Sequence, residues 1–163
     1  MNPLWDYFWP VFGFAVLVGL LGGLMGFRRR RGWIFAAAAL LALAGAGLWH
    51  GPLGAADRFA NVVETSAKRT LTDWEMTQVQ GRLHHGPLTR HLMLTGPADD
   101  FQRSQLVIIL NQLPGVSRAT WSNSAGIPLI AEAAIAATLG FLIGLLLAYL
   151  AELRRRYNAE WKW

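Results

Sequence analysis

Three long apolar runs, at residues 4–27, 33–50 and 127–150, flank a stretch where apolar and polar residues alternate over shorter distances. A bilayer core about 30 Å thick needs about 20 apolar residues at a helical rise of 1.5 Å per residue. Each run therefore predicts a membrane-spanning helix. Residues 51–126 predict a water-soluble part. Phe59, Val62, Val63, Ala67 and Leu71 recur near one face of a helix over 55–71. Residues 78–84 alternate loosely, with Val79 and Leu83 on one side, and Gly86-Pro87 turns the chain. Residues 88–95 alternate again, with Leu88, Leu92 and Leu94 inward, up to the break at Gly96-Pro97. Asp99 or Asp100 suits the N-cap of a helix over 100–113, whose apolar face would be Phe101, Ile108, Ile109 and Leu113. Pro114-Gly115 closes it, and residues 116–121 read as a last strand. The expected fold is an α-helical membrane protein with three spans and a small α+β domain of order helix, strand, strand, helix, strand, its helices on one face of the sheet. Domain limits follow: a helical hairpin at 1–50, the α+β domain at 51–126, and the third span with a basic tail at 127–163.

Glycine placement sharpens the membrane reading. Gly19, Gly22, Gly23 and Gly26 form two overlapping pairs four residues apart in the first helix, and Gly140 and Gly144 form another in the third. Small residues at this spacing let helix backbones approach closely. The expected contact for the first helix is the chain's own second helix.

Charge sets the orientation. Of fifteen basic residues, eight cluster beside the apolar runs: Arg28, Arg29, Arg30 and Arg31, then Arg154, Arg155, Arg156 and Lys162. Basic residues near membrane ends stay cytoplasmic. Both clusters assign the same topology, with the N-terminus periplasmic and the C-terminus cytoplasmic in a multi-pass protein of the bacterial inner membrane. Trp5, Tyr7, Phe8 and Trp9 suit the outer interface, and Tyr157, Trp161 and Trp163 an amphipathic tail at the inner one, its arginines near anionic phospholipid. Residues 51–126 hold seven basic against six acidic side chains, which leaves no basic stripe for nucleic acid. The first run has no positive charge ahead of it, unlike a cleaved signal peptide, and is read as a retained helix. The chain has no cysteine, which excludes disulfides and thiol nucleophiles.

Two segments resemble a known family. Leu92-Met93-Leu94-Thr95-Gly96-Pro97-Ala98, a helix, and then Leu113-Pro114-Gly115-Val116 resemble a BON domain. The stretch from Trp74 through Arg82 is similar to the BON segment that precedes the peptidoglycan-binding domain of some OmpA-family envelope proteins. The resemblance covers about residues 57–121. The chain departs from the pattern in extra hairpin length at 84–89 and in a membrane helix where the OmpA-like domain would follow, so peptidoglycan binding is not carried over. The resemblance implies an interaction module linked to phospholipid or envelope attachment, not an active site.

Candidate chemistry is sparse. Glu132, about a turn and a half into the third run, is the buried polar anomaly, because a carboxylate in a membrane helix is costly. Asp6 and His50 are expected at similar depth. A proton path would need ionisable groups deeper in, and residues 12–27 and 33–49 hold none. The expected role of Glu132 is a polar contact to a partner subunit or hydration at the interface. Ala46 and His50 have the small-xxx-His spacing of pigment-binding helices, but His50 ends its helix and is expected at the interface. His84, His85 and His91 bracket the Gly-Pro turn as conceivable metal ligands. Adjacent strand residues point to opposite faces, so solvated side chains at a hairpin tip are the expectation. Ser66, Ser104 and Ser117 have no evident base, and no phosphate loop or nucleophile elbow is present. The expectation is a non-enzymatic protein without cofactor: an accessory or scaffold subunit whose partners are other integral membrane subunits and phospholipids. The alternative is an autonomous envelope protein whose small domain binds phospholipid or periplasmic proteins.

Overall fold

The computed structural model describes residues 2–122 and 126–160. The expected tail residues Trp161, Lys162 and Trp163 and the middle of the linker, Asn123 to Ala125, lie outside the described residues. The elements are α1 (Pro3–Arg29), α2 (Trp33–His50), α3 (Ala55–Asp73), β1 (Gln80–His85), β2 (Leu88–Thr95), α4 (Asp100–Leu110), β3 (Arg118–Thr120) and α5 (Leu129–Glu160). Among the described residues, α1, α2 and α5 are long and apolar enough to cross a membrane. The chain divides into two compact units. One contains the described residues of Met1–Tyr7 with Gly54–Glu132, the other those of Phe8–Leu53 with Ala133–Trp163. The first turns of α1 and α5 thus belong to the smaller-element unit, a division not visible in hydropathy.

In the helical unit, Arg30 takes a left-handed conformation (φ 52°) after α1, and the chain reverses within a few residues into α2. Val11, Ala15, Ala38, Ala42, Ala46, Ala137 and Phe141 form the packed core. The two glycine pairs of α1 serve two different neighbours. A Cβ at Gly22 would lie 2.5 Å from Ala38 Cβ and one at Gly26 2.6 Å from the Phe35 ring, both on α2. A Cβ at Gly19 would collide with the Phe141 carbonyl and one at Gly23 would come 2.6 Å from Ala148 Cβ, both on α5. Gly140 and Gly144 reciprocate against the carbonyls of Phe12 and Val16 on α1. The second helix is therefore only half of the answer. A helix gripped on two sides needs small residues on two faces, and the overlapping pairs supply them.

The other unit holds a three-stranded sheet of order β1-β2-β3, with β1 antiparallel and β3 parallel to β2. Leu83 pairs with Leu92 and Gly81 with Leu94, directing one face toward Phe59, Val63, Ala67 and Leu71 of α3 and Leu106 and Leu110 of α4. Val79 donates its N–H to Met76, which keeps residues 78–79 in a turn and starts β1 later than the alternation suggests. Asp99 caps α4 reciprocally: its carboxylate accepts from Gln102 N at 2.7 Å, and its N–H donates to Gln102 Oε1 at 3.0 Å. Gly115 adopts φ 100°, and a Cβ there would lie 2.6 Å from Val63, so the turn into β3 requires glycine on both counts.

The apolar face expected for α4 is wrong in two of its four members, Phe101 and Ile108, while Ile109 and Leu113 are half-buried. Leu106 and Leu110 are buried, whereas Phe101 is 73% and Ile108 54% exposed. The helix also stops at Leu110, because the Asn111 side chain turns to accept Ala119 N at 2.7 Å and fasten β3. Phe101 and Ile108 lie seven residues apart on one face, so a rotation set by that tie moves both outward together. Val62 likewise falls off the buried stripe of α3. Tyr7, expected among headgroups, is instead 2% exposed and packs on Phe59 with ring centroids 5.6 Å apart.

Candidate functional site

Polar groups in the sheet-bearing unit converge at three places. At the first, Glu132 in the opening turn of α5 meets Arg90 of β2. Arg90 Nε lies 2.9 Å from Glu132 Oε2 and 3.1 Å from Oε1, with both side chains about one-fifth exposed. The expectation of a partner subunit's group or water is corrected here: the carboxylate is paired within its own unit. Arg90 is reachable because β2 runs unbroken to a residue whose neighbour, Thr89, bridges Pro128 just ahead of α5. Sequence reasoning missed Arg90, since 42 positions separate it from Glu132 and no local spacing signals the pair.

At the second, Glu64 reaches from α3 to the rim of the sheet. Its Oε1 accepts Leu83 N at 2.9 Å and lies 3.0 Å from His85 Nε2. At the third, Thr120 Oγ1 donates to the Ser122 carbonyl at 2.8 Å, so its remaining lone pair accepts from His91 Nε2 at 2.9 Å. The three candidate metal histidines thus go to different partners. His84 Nδ1 sits 3.2 Å from the Pro87 carbonyl, His85 joins Glu64, and His91 is in the interior at 3% exposure. The solvated hairpin-tip picture fails for His91, which faces the side of the sheet opposite Leu92 and is covered there by Gly126. Among the described residues no three of His, Cys, Asp or Glu gather as metal ligands would.

Beside β1 lies a groove of about 590 Å³, floored by Leu71 and Val79 and walled by polar side chains of α3 and β1. In the helical unit, a hollow of about 270 Å³ between α1 and α2 is lined by Pro10, Val11, Phe14, Gly45, Leu48, Trp49 and Leu53, with almost no polar surface. Ala46 lies inside the helical core, so helix packing occupies the small face that a pigment macrocycle would need beside His50; His50 itself is half-buried at the end of α2.

The basic clusters differ in their environment. Arg28, Arg29, Arg30 and Arg31 are exposed around the α1–α2 turn. Arg155 and Arg156 are anchored by Glu152, which is 4% exposed, with Arg155 Nη2 at 2.7 Å and Arg156 Nε at 3.1 Å from its Oε1. Arg154 is exposed. Glu152 was also missed, although its i+3 and i+4 spacing to the arginines was legible. Ser66 and Ser104 donate to helical carbonyls and Ser117 to the Arg90 carbonyl. No protein-family model matches the chain, and no curated protein or solved structure matches it.

Proposed function

We propose that the chain is a multi-pass protein of the bacterial inner membrane that acts as a non-catalytic accessory or scaffold subunit, with its sheet-bearing unit on the periplasmic side as a BON-like interaction module. Its arginine clusters lie in the cytoplasm, following the positive-inside bias. The observation that carries this reading is the apolar hollow between α1 and α2. It lies on helices whose outer surface already displays Leu17, Leu21, Leu40 and Leu41, and its floor includes Gly45. Such a surface requires apolar surroundings, and a hollow in it fits a large side chain of a neighbouring membrane helix. In the sheet-bearing unit, Glu64, Glu132, His91 and Asn111 all bind their own framework, which favours a rigid docking body over a reacting centre.

Extraction from native membranes in mild detergent is expected to retain stoichiometric integral-membrane partners, and Leu48→Ala with Phe14→Ala to loosen them. Recovery of a monodisperse chain without partners argues against the proposal. A reporter inserted at residues 85–87 is expected to be active only outside the cytosol. Gly22 and Gly140 are unsuitable probes of partner binding, since their neighbours belong to the same chain.

A second reading, phospholipid attachment by the small unit, is favoured by Phe101 and Ile108, two exposed apolar side chains on one face of α4. Sedimentation of the full chain in amphipol with phosphatidylglycerol vesicles, lost on Phe101→Asp with Ile108→Asp, would support it. Equal sedimentation of both proteins would count against it.

A further inference from the structure

We propose that the groove between α3 and β1 is the docking site for an extended acidic segment of a partner protein, added as a fourth strand beside β1. The inference rests on the small unit being an interaction module and names the kind of partner it takes.

β1 is an edge strand, with β2 on one side only. In an antiparallel ladder, residues alternate between pairs that exchange both hydrogen bonds and pairs whose N–H and C=O point away from the partner. Leu83 donates its N–H to Glu64 rather than to β2, which marks Leu83↔Leu92 as a pair of the outward kind. Two residues earlier, Gly81↔Leu94 has the same parity, so Gly81 directs its N–H and C=O into the groove. The edge therefore has one position closed by a carboxylate and one open. That asymmetry sets the register: an added strand pairs at Gly81 and ends before Leu83, where Glu64 already stands.

The walls specify what enters. On α3, Asn61, Thr65, Lys68 and Thr72 follow 4, 3 and 4 spacing and form one stripe along the groove. Their hydroxyl and amide groups suit a peptide and would desolvate poorly beneath an acyl chain. Lys68 and Arg82 line the groove, are exposed, and make no ion pair among the described residues. The one carboxylate lining it, Glu64, is already engaged by Leu83 N and His85. The groove is thus cationic where it is open, and an acidic strand complements it.

The test uses the full chain in amphipol and fluorescence anisotropy with a labelled hexapeptide of alternating valine and glutamate. Binding is expected, with the valine–lysine counterpart at least about tenfold weaker from the reversed charges. N-methylation of alternate peptide residues is expected to weaken binding about tenfold, the worth of one hydrogen bond. Lys68→Glu should weaken it about fivefold, as for an exposed ion pair. Gly81→Pro should weaken the unmethylated peptide about tenfold, because it removes the outward N–H that donates to a peptide carbonyl while leaving the β1–β2 ladder donors in place. Equal binding of methylated and unmethylated peptides overturns strand addition, as does no binding at all. Displacement by inorganic phosphate at the same concentration as unlabelled peptide overturns it in favour of a small-anion site. Partners that still co-purify while the peptide fails to bind would sink this inference alone. Peptide binding without any native partner would sink the scaffold reading alone.

Discussion

In the helical unit the buried positions are mostly alanines and glycines, while Leu17, Leu21, Leu40, Leu139 and Leu146 cover the outside. In the sheet-bearing unit Phe59, Val63, Leu71, Leu83, Leu92, Leu94, Leu106 and Leu110 are inside, and polar side chains cover most of the surface. The same residue type, leucine, has opposite roles in one chain. Removal from water drives leucine inward only where water is outside. Where the surroundings are as apolar as the interior, packing distance decides instead, and the smallest side chains win the contacts.

Mutations should separate the two regimes. The largest effect is expected from Leu92→Ala, which empties a fully buried site in the sheet-bearing unit and should cost about 2–5 kcal/mol. Leu21→Ala on the helical exterior should cost under about 0.5 kcal/mol in detergent, measured by the same thermal denaturation series. Equal losses would break the comparison. Next is Gly144→Leu, where the added Cβ meets the Val16 carbonyl and no rotamer relieves the clash. A loss of about 3 kcal/mol is expected, against none for Gly47→Leu, which has nothing within 4 Å. Resistance to dissociation in increasing denaturing detergent checks this pair. Arg90→Met removes the partner of a four-fifths-buried carboxylate and should destabilise by about 2 kcal/mol. Restoring neutrality with Glu132→Gln in the same chain should recover part of that loss, which a double-mutant cycle reads directly. The smallest effect is expected from Asp99→Ala, about 1 kcal/mol through the lost cap of α4. Hydrogen exchange at Gln102, whose N–H the cap holds, reports it locally.

The elements most legible in the sequence were those with strong local periodicity. The three apolar helices, β2 at 88–95 and the Asp99 cap appear where pattern and capping chemistry place them. The glycine spacing announced close contacts but not their partners, since any helix with a small face satisfies it. The polar site was largely illegible. Glu64 meets β1 about twenty residues on, and Arg90 finds Glu132 only once β2 has delivered it there. The α4 face was misread because Phe101 and Ile108 are the more hydrophobic choices, whereas burial followed the Asn111–Ala119 tie.

Sequence alone determined which stretches are helical and apolar, where charge collects, and which turns need glycine, because each depends on interactions within a few residues. The tertiary structure decided which face of α4 is covered, which helix each glycine pair meets, and what neutralises Glu132. Those outcomes depend on groups brought together across tens of residues, and chain distance carries no local trace of them.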